Sequence, residues 1–178
     1  ARTSQSQYVN IDNPKLGTGY MSNGTLIQSP MDFSNKNRLS LQDLDGIVKR
    51  IVFPQLFIGT EQFQITEEQR AFVLRYMSML PGESDFPHYS KEEYPDNYSK
   101  FFMFGGNTQS LPAHIRIFNK TGWAYGHLID SAYIVDLENG VEFFLSAVIY
   151  TNQNDILDRA LRSGAYKTDG VKPTISPS

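Results

Sequence analysis

The sequence predicts an α+β fold, with helices first, then a three-stranded antiparallel meander, then one more helix lying on the sheet. Three observations predict it. Apolar residues recur at helical spacing from Leu41 to Ile51 and again from Phe72 to Met77. The apolar period then switches to two after Ala113, and Asn139-Gly140, a strong hairpin signal, separates two β-rich runs at about 127 to 136 and 141 to 151. The chain reads as a single domain or partial domain in four stretches: 1–38 extended, 39–112 helical with an aromatic loop, 113–164 strands plus a helix, and 165–178 a tail.

Residues 1–38 are rich in Asn, Ser, Gly and Pro with isolated apolar positions, the pattern of an extended segment draped on something else. In the first helix, Leu41, Leu44, Ile47, Val48 and Ile51 share one face. Ser40 and Asp43 stand at capping-box spacing, Leu39 and Leu44 at staple spacing, and Pro54 stops the run. The second helix begins at Thr66 with Gln69 at the box position. It presents Phe72, Val73, Tyr76 and Met77, and ends before Pro81-Gly82. Residues 81–112 carry four prolines and seven aromatics from Phe86 to Phe104, which predicts an ordered loop held by ring packing. Ala113, Ile115 and Ile117 then alternate with His114, Arg116 and Phe118 as the first strand. Beyond the two later strands, Ile156, Leu157, Ala160 and Leu161, with Asn154 as a cap and Gly164 as a stop, predict the covering helix.

Composition narrows the function. With 178 residues, 40% of them hydrophobic, the chain can bury a core without staples, and a formal charge of −3 with scattered Lys and Arg leaves no footprint for nucleic acid. The absence of cysteine removes disulfides, thiolate nucleophiles and zinc–thiolate sites. No apolar run approaches the ~18 residues of a membrane span. His88, His114 and His127 have no carboxylate or second histidine at ligand spacing, so no metal or other cofactor is expected.

The residues that draw chemical attention are Lys120, Thr121 and Gly122, on a strand followed by a second strand, an Asn-Gly hairpin and a third strand closing "AVIYTN". Together with "NRLSLQDLDGIVKRIVFP", "YMSMLPGESDFPHY" and "IFNKTGWAYGHLIDSAYIVD", this order resembles the C-terminal part of the serine β-lactamase and penicillin-binding protein superfamily. Within it, the sequence is most similar to the β-lactamase-like serine hydrolases common in Bacteroidetes, from about Asn37 to Asn152. The resemblance implies that Lys120 supplies positive charge near a substrate carboxylate and the proton network. Thr121 hydrogen-bonds that carboxylate, Gly122 keeps the wall flat, the Trp123 N–H is one oxyanion donor, and Trp123 and Tyr125 line the mouth. It also implies an acyl or peptide-like small-molecule substrate and a periplasmic or secreted location.

The family's nucleophile is missing. No serine in the sequence has a lysine three positions on, so there is no Ser-x-x-Lys, and Ser84-Asp85 is followed by Phe86 rather than asparagine. Tyr8-Val9-Asn10 fits Tyr-x-Asn only in spelling, and Lys167-Thr168-Asp169 lacks the glycine. The resemblance therefore implies that the nucleophile-bearing helices and the first strands lie N-terminal to Ala1. Two readings stand side by side: part of a serine hydrolase that contributes the Lys-Thr-Gly wall, or a non-catalytic binding or structural module with a protein partner. An unrelated α+β domain is a third. By spacing alone Lys120 is a solvated strand-end lysine, His127 a half-exposed sheet residue, Asp130 and Asp136 strand-edge or turn carboxylates, and Glu67-Glu68 first-turn acids.

Overall fold

The computed structural model describes residues 12–105 and 110–158. Four short strands open this region: β1 (Lys15–Leu16), β2 (Gly19–Ser22), β3 (Thr25–Ile27) and β4 (Met31–Asp32). They are followed by helices α1 (Leu41–Val52) and α2 (Glu67–Ser78), then by the long strands β5 (Ile115–Ala124), β6 (His127–Asp136) and β7 (Val141–Tyr150), and by the short β8 (Ile156–Leu157). The α+β class and the meander β5-β6-β7, antiparallel throughout, are as expected.

Three expectations are corrected. Residues 15–32 are not a formless drape: β1 pairs with β4, and β2 forms a hairpin with β3. The turn between β2 and β3 is Asn23-Gly24, both at positive φ (49° and 80°), the two-residue geometry whose twist matches the flanking strands. The covering helix does not start at Asn154. Ile156 and Leu157 run as a strand parallel to β2, and the Asn154 carboxamide oxygen accepts from the Ile156 N–H instead of capping a helix. The parallel partner wins because Leu157, fully buried there, gains more than a half-exposed helical turn offers. The rest of the expected helix, from residue 159, lies outside the described residues. Finally, β5 does not stop at Lys120-Thr121-Gly122 but runs on to Ala124. The chain then reverses through Tyr125-Gly126, both at positive φ (52° and 76°).

The helices obey their capping chemistry. Thr66 and Gln69 form the reciprocal box of α2. At α1 the Ser40 hydroxyl accepts from the Asp43 N–H and donates to the Asp43 carboxylate, so the return half of the box is closed between side chains. Leu39, expected as a staple, remains 55% exposed. The face expected of α2 is only half used: Val73 and Met77 are partly buried, whereas Phe72 and Tyr76 stack on each other in the open.

The sheet has two covered faces because side chains alternate along each strand. On the helix face, α1 lies over β6 and β7, and Phe53 packs edge-on against Tyr133 and Phe144. On the loop face, Phe102 from the aromatic loop joins Ile115, Ile117, Ala132 and Ile134 in the buried core, with Phe104 and Leu111 packed around it. Ile117 and Ile134 are each 1% exposed, a burial that stabilises by about 2 kcal/mol per side chain. The loop itself is braced by the ring ladder Tyr89–Tyr94–Tyr98, with centroids 4.9 Å apart at both steps.

The Tyr125-Gly126 turn is locked from outside. Gly126 O accepts from the Thr151 N–H, and a Cβ on Gly126 would lie 2.4 Å from Asn152 Cβ. Replacing Gly126 with alanine combines a left-handed backbone with that clash. It is expected to lower the unfolding free energy by about 2 kcal/mol in urea denaturation, whereas Gly140→Ala, at φ 65° but in open space, should cost about half as much.

Candidate functional site

Strand β5 carries four of the five residues singled out from sequence, and its register decides what they can do together. Lys120 stands opposite Ser131, Thr121 opposite Asp130, Gly122 opposite Ile129 and Trp123 opposite Leu128. Alternation sends Lys120 and Gly122 to the helix face and Thr121 and Trp123 to the loop face. Lys120 is exposed and its Nζ donates to Thr121 O at 2.5 Å. Thr121 is half-buried and Trp123 is 54% exposed. A Cβ on Gly122 would sit 2.6 Å from Ile129 Cγ2, so the glycine has a packing reason to be there. Tyr125 lies beyond the strand, in the turn. Its N–H donates to Asp158 O at 2.9 Å, and its ring meets Phe33 edge-on at 5.1 Å. Among the described residues, β5 pairs with β6 on one side only.

Each face holds a polar group of residues that sequence reasoning did not select. On the helix face a row runs across the sheet from Lys120 through Ser131 and Ser146. The two serine hydroxyls are 2.8 Å apart, and Ser146 Oγ donates to Asp45 Oδ1 at 2.8 Å. Asp45 in turn pairs with Lys49 at 2.6 Å. Burial opposes ionisation of Asp45, but the hydrogen bonds from Lys49 and Ser146 outweigh it and hold its carboxyl below the usual range. Ser131 is fully buried and Ser146 half-buried, and the row ties α1 to the sheet.

On the loop face, Lys100, Asn119 and Asp130 are 1%, 8% and 3% exposed, and they form one connected network. Lys100 Nζ donates to Asn119 Oδ1 and to Met77 O, both at 2.7 Å. Asn119 Nδ2 donates to Asp130 Oδ1 and Oδ2, at 2.9 and 3.1 Å, and to Ser99 O at 2.8 Å. Asp130 Oδ2 also accepts from the Phe101 N–H at 3.1 Å. One side-chain amide thus bridges an ammonium and a carboxylate and reads each with the correct end. Burial pushes the Lys100 ammonium down from 10.5 to about 8, against the pull of Asp130 and Glu83. Burial likewise pushes the Asp130 carboxyl up, against the donors from Asn119 and the backbone of Phe101 and Phe102. All of the partners of Asp130 are donors, which suits an ionised carboxylate. Beside it, Phe101, Leu128, Ala147 and Ile149 outline a small apolar recess with Asp130 in its lining.

The expectation that Asp130 is a strand-edge or turn carboxylate is therefore corrected. It sits in the middle of the central strand, tolerated there because Asn119 and Lys100 face it. Asp136 does close the β6–β7 turn, accepting from Glu138 N and Asn139 N at 3.0 Å each. His127 is half-buried in β6, with its Nδ1 3.1 Å from Tyr125 O. Glu67 lies in the first turn of α2 and pairs with Arg70, and Glu68 is exposed. Ser84 Oγ donates to Pro87 O, while Tyr8-Val9-Asn10 and Lys167-Thr168 lie outside the described residues. Among the described residues no cluster of three His, Cys, Asp or Glu could hold a metal, and no helix is long and apolar enough to cross a membrane. A sequence signal for Lys100 existed in principle: it is a lone cation amid "DNYSKFFMF", an apolar setting in which a lysine must find buried partners.

The network has a defined pH signature. Unfolded, Lys100 keeps its proton up to about 10.5; folded, up to about 8. Between these values the unfolded chain binds more protons, so this residue makes stability rise with pH across that window. The unfolding free energy of the wild type should therefore gain about 3 kcal/mol relative to Lys100→Met from pH 8 to 10.5. A constant difference between the two proteins over that range would contradict the assignment. At pH 7, Asn119→Leu, which strands both buried charges, should cost about 3 kcal/mol by urea denaturation.

No family model matches the chain, and neither a curated protein nor a solved structure matches it.

Proposed function

We propose that the chain contributes the Lys-Thr-Gly wall of an acyl-transfer site of the β-lactamase-like serine hydrolase kind, with the nucleophile supplied from outside these 178 residues. The observation that carries the reading is the setting of Lys120–Trp123. The segment lies on a strand that, among the described residues, is paired on one side only, at the margin of a three-stranded antiparallel meander. An extended substrate could lie along such an edge and use backbone hydrogen bonds, the geometry of strand addition. At that edge, Lys120 is an exposed cation and Thr121 offers a half-buried hydroxyl, the two groups that a carboxylate ligand needs. Trp123, the only tryptophan in the chain, stands two residues from Thr121 as a partly exposed platform.

Chemistry divides cleanly between this chain and what it lacks. Lys120 would stabilise a bound carboxylate and favour proton loss from groups nearby, and Thr121 would fix the carboxylate's orientation. The Trp123 N–H would be one oxyanion donor. Covalent attack needs a serine paired with a lysine, and no such pair is encoded here.

The test uses benzylpenicillin as the probe. Intact mass after incubation should show no covalent adduct, while reversible binding should quench Trp123 emission with a dissociation constant in the millimolar range, about 4 kcal/mol of affinity. Thr121→Val should weaken that binding about tenfold, as expected for a lost hydrogen bond to a charged group. A covalent adduct on this chain would sink the claim that the nucleophile lies elsewhere, and absence of any quenching would sink the acyl-site reading.

A further inference from the structure

Thr121 and Trp123 share the loop face with the Lys100–Asn119–Asp130 network, and the register places Asp130 directly across from Thr121. An anion approaching Thr121 would therefore meet a second carboxylate immediately behind the wall. Among the described residues Thr121 has no side-chain hydrogen bond to Asp130. Both Asp130 oxygens are instead turned to Asn119, and Oδ2 also to the Phe101 N–H. Asn119, in turn, is held by Lys100. The buried ammonium is the compensating charge for the buried carboxylate, joined to it through one amide.

We propose that Lys100 is a positioning residue for the wall: its charge balances Asp130 behind Thr121 and, through Asn119, keeps that carboxylate turned away from the threonine hydroxyl. The inference deepens the acyl-site reading and rests on it for the identity of the ligand, a carboxylate. The charge balance itself rests on geometry alone. The groups that face Lys100 are Asp130 from β6, Glu83 from the turn after α2, Arg116 from β5 and the carbonyl of Met77 at the end of α2. Arg116 and Glu83 are already engaged with each other in a two-pronged pair at 2.7 and 3.1 Å. Asp130 is therefore the carboxylate left for Lys100 to balance. When Lys100 loses its proton, one uncompensated negative charge remains behind the wall.

The indole of Trp123 is a built-in reporter, because Trp123 and Asp130 are diagonal neighbours across β5 and β6, about 7 Å apart in such a ladder. In the full chain without ligand, Trp123 emission followed from pH 6.5 to 9.5 should show one step centred near the pH at which Lys100 deprotonates, about 8. Lys100→Arg, which keeps its charge throughout, should remove the step. A flat wild-type profile, or a step that survives Lys100→Arg, would overturn the proposal; the wild-type arm decides even if the variant does not fold. In a second arm, benzylpenicillin binding by Trp123 quenching should weaken roughly fourfold in the wild type between pH 7 and 9 and stay constant in Lys100→Arg. Binding that is equally strong at both pH values would overturn the link between Lys100 and the ligand. Absence of binding at either pH, with the emission step present, would refute the acyl-site reading while upholding the charge balance.

Discussion

One side-chain amide holds the loop face of this protein together. Asn119 offers its oxygen to a buried ammonium and its nitrogen to a buried carboxylate, so three polar groups that would each be costly alone are satisfied at once. The consequences spread along the chain. Lys100 reaches the end of α2 through Met77 O, Asn119 reaches the loop through Ser99 O, and Asp130 receives the Phe101 N–H. The turn of chain around residue 100 is thereby pinned to the sheet, and Phe102 can join the core with Ile117 and Ile134. An apolar residue in place of Asn119 would remove the bridge between the two buried charges, leaving Lys100 with Met77 O and Asp130 with backbone donors alone.

The second constraint is the period of a strand. Because β5 continues straight through Lys120 and Thr121, these neighbours leave opposite faces and belong to different surroundings. Lys120 tops the serine row that leads to Asp45 and α1, whereas Thr121 stands over Asp130. A ligand that uses both must sit at the strand's edge, where the two faces meet. The edge is thus a functional requirement of the proposed wall, and among the described residues β5 leaves one edge unpaired. The small room at Gly122, taken up by Ile129, keeps the same stretch of strand close to its neighbour.

Much of this architecture was legible in the residues. The capping pairs at Ser40 and Thr66, the stop at Pro54, the alternation from Ile115 and the Asn139-Gly140 turn all appear where local chemistry puts them. The same turn chemistry at Asn23-Gly24 carries little signal, because the flanking strands are only four and three residues long. At Ile156-Leu157 the difference from the sequence expectation has another cause. Its apolar spacing fits a helix or a buried strand equally well, and a partner more than 130 positions away at Gly19-Tyr20 decided between them. Asp130 looked like a turn residue because acidic side chains are usually exposed, and nothing near it in sequence announces Lys100 or Asn119 as its partners.

The sequence by itself determined the α+β class, helices α1 and α2, the three-stranded meander and the absence of a Ser-x-x-Lys pair, since each follows from residue spacing within about a dozen positions. Tertiary structure alone decided which buried groups face one another: Lys100 with Asn119 and Asp130, Ser131 with Ser146 and Asp45, and β8 with β2. The physical reason is that a buried polar group requires a partner but does not specify how far along the chain it lies. Packing the loop and α1 on opposite faces of one sheet supplies those partners, and in doing so it sets the charge behind Thr121.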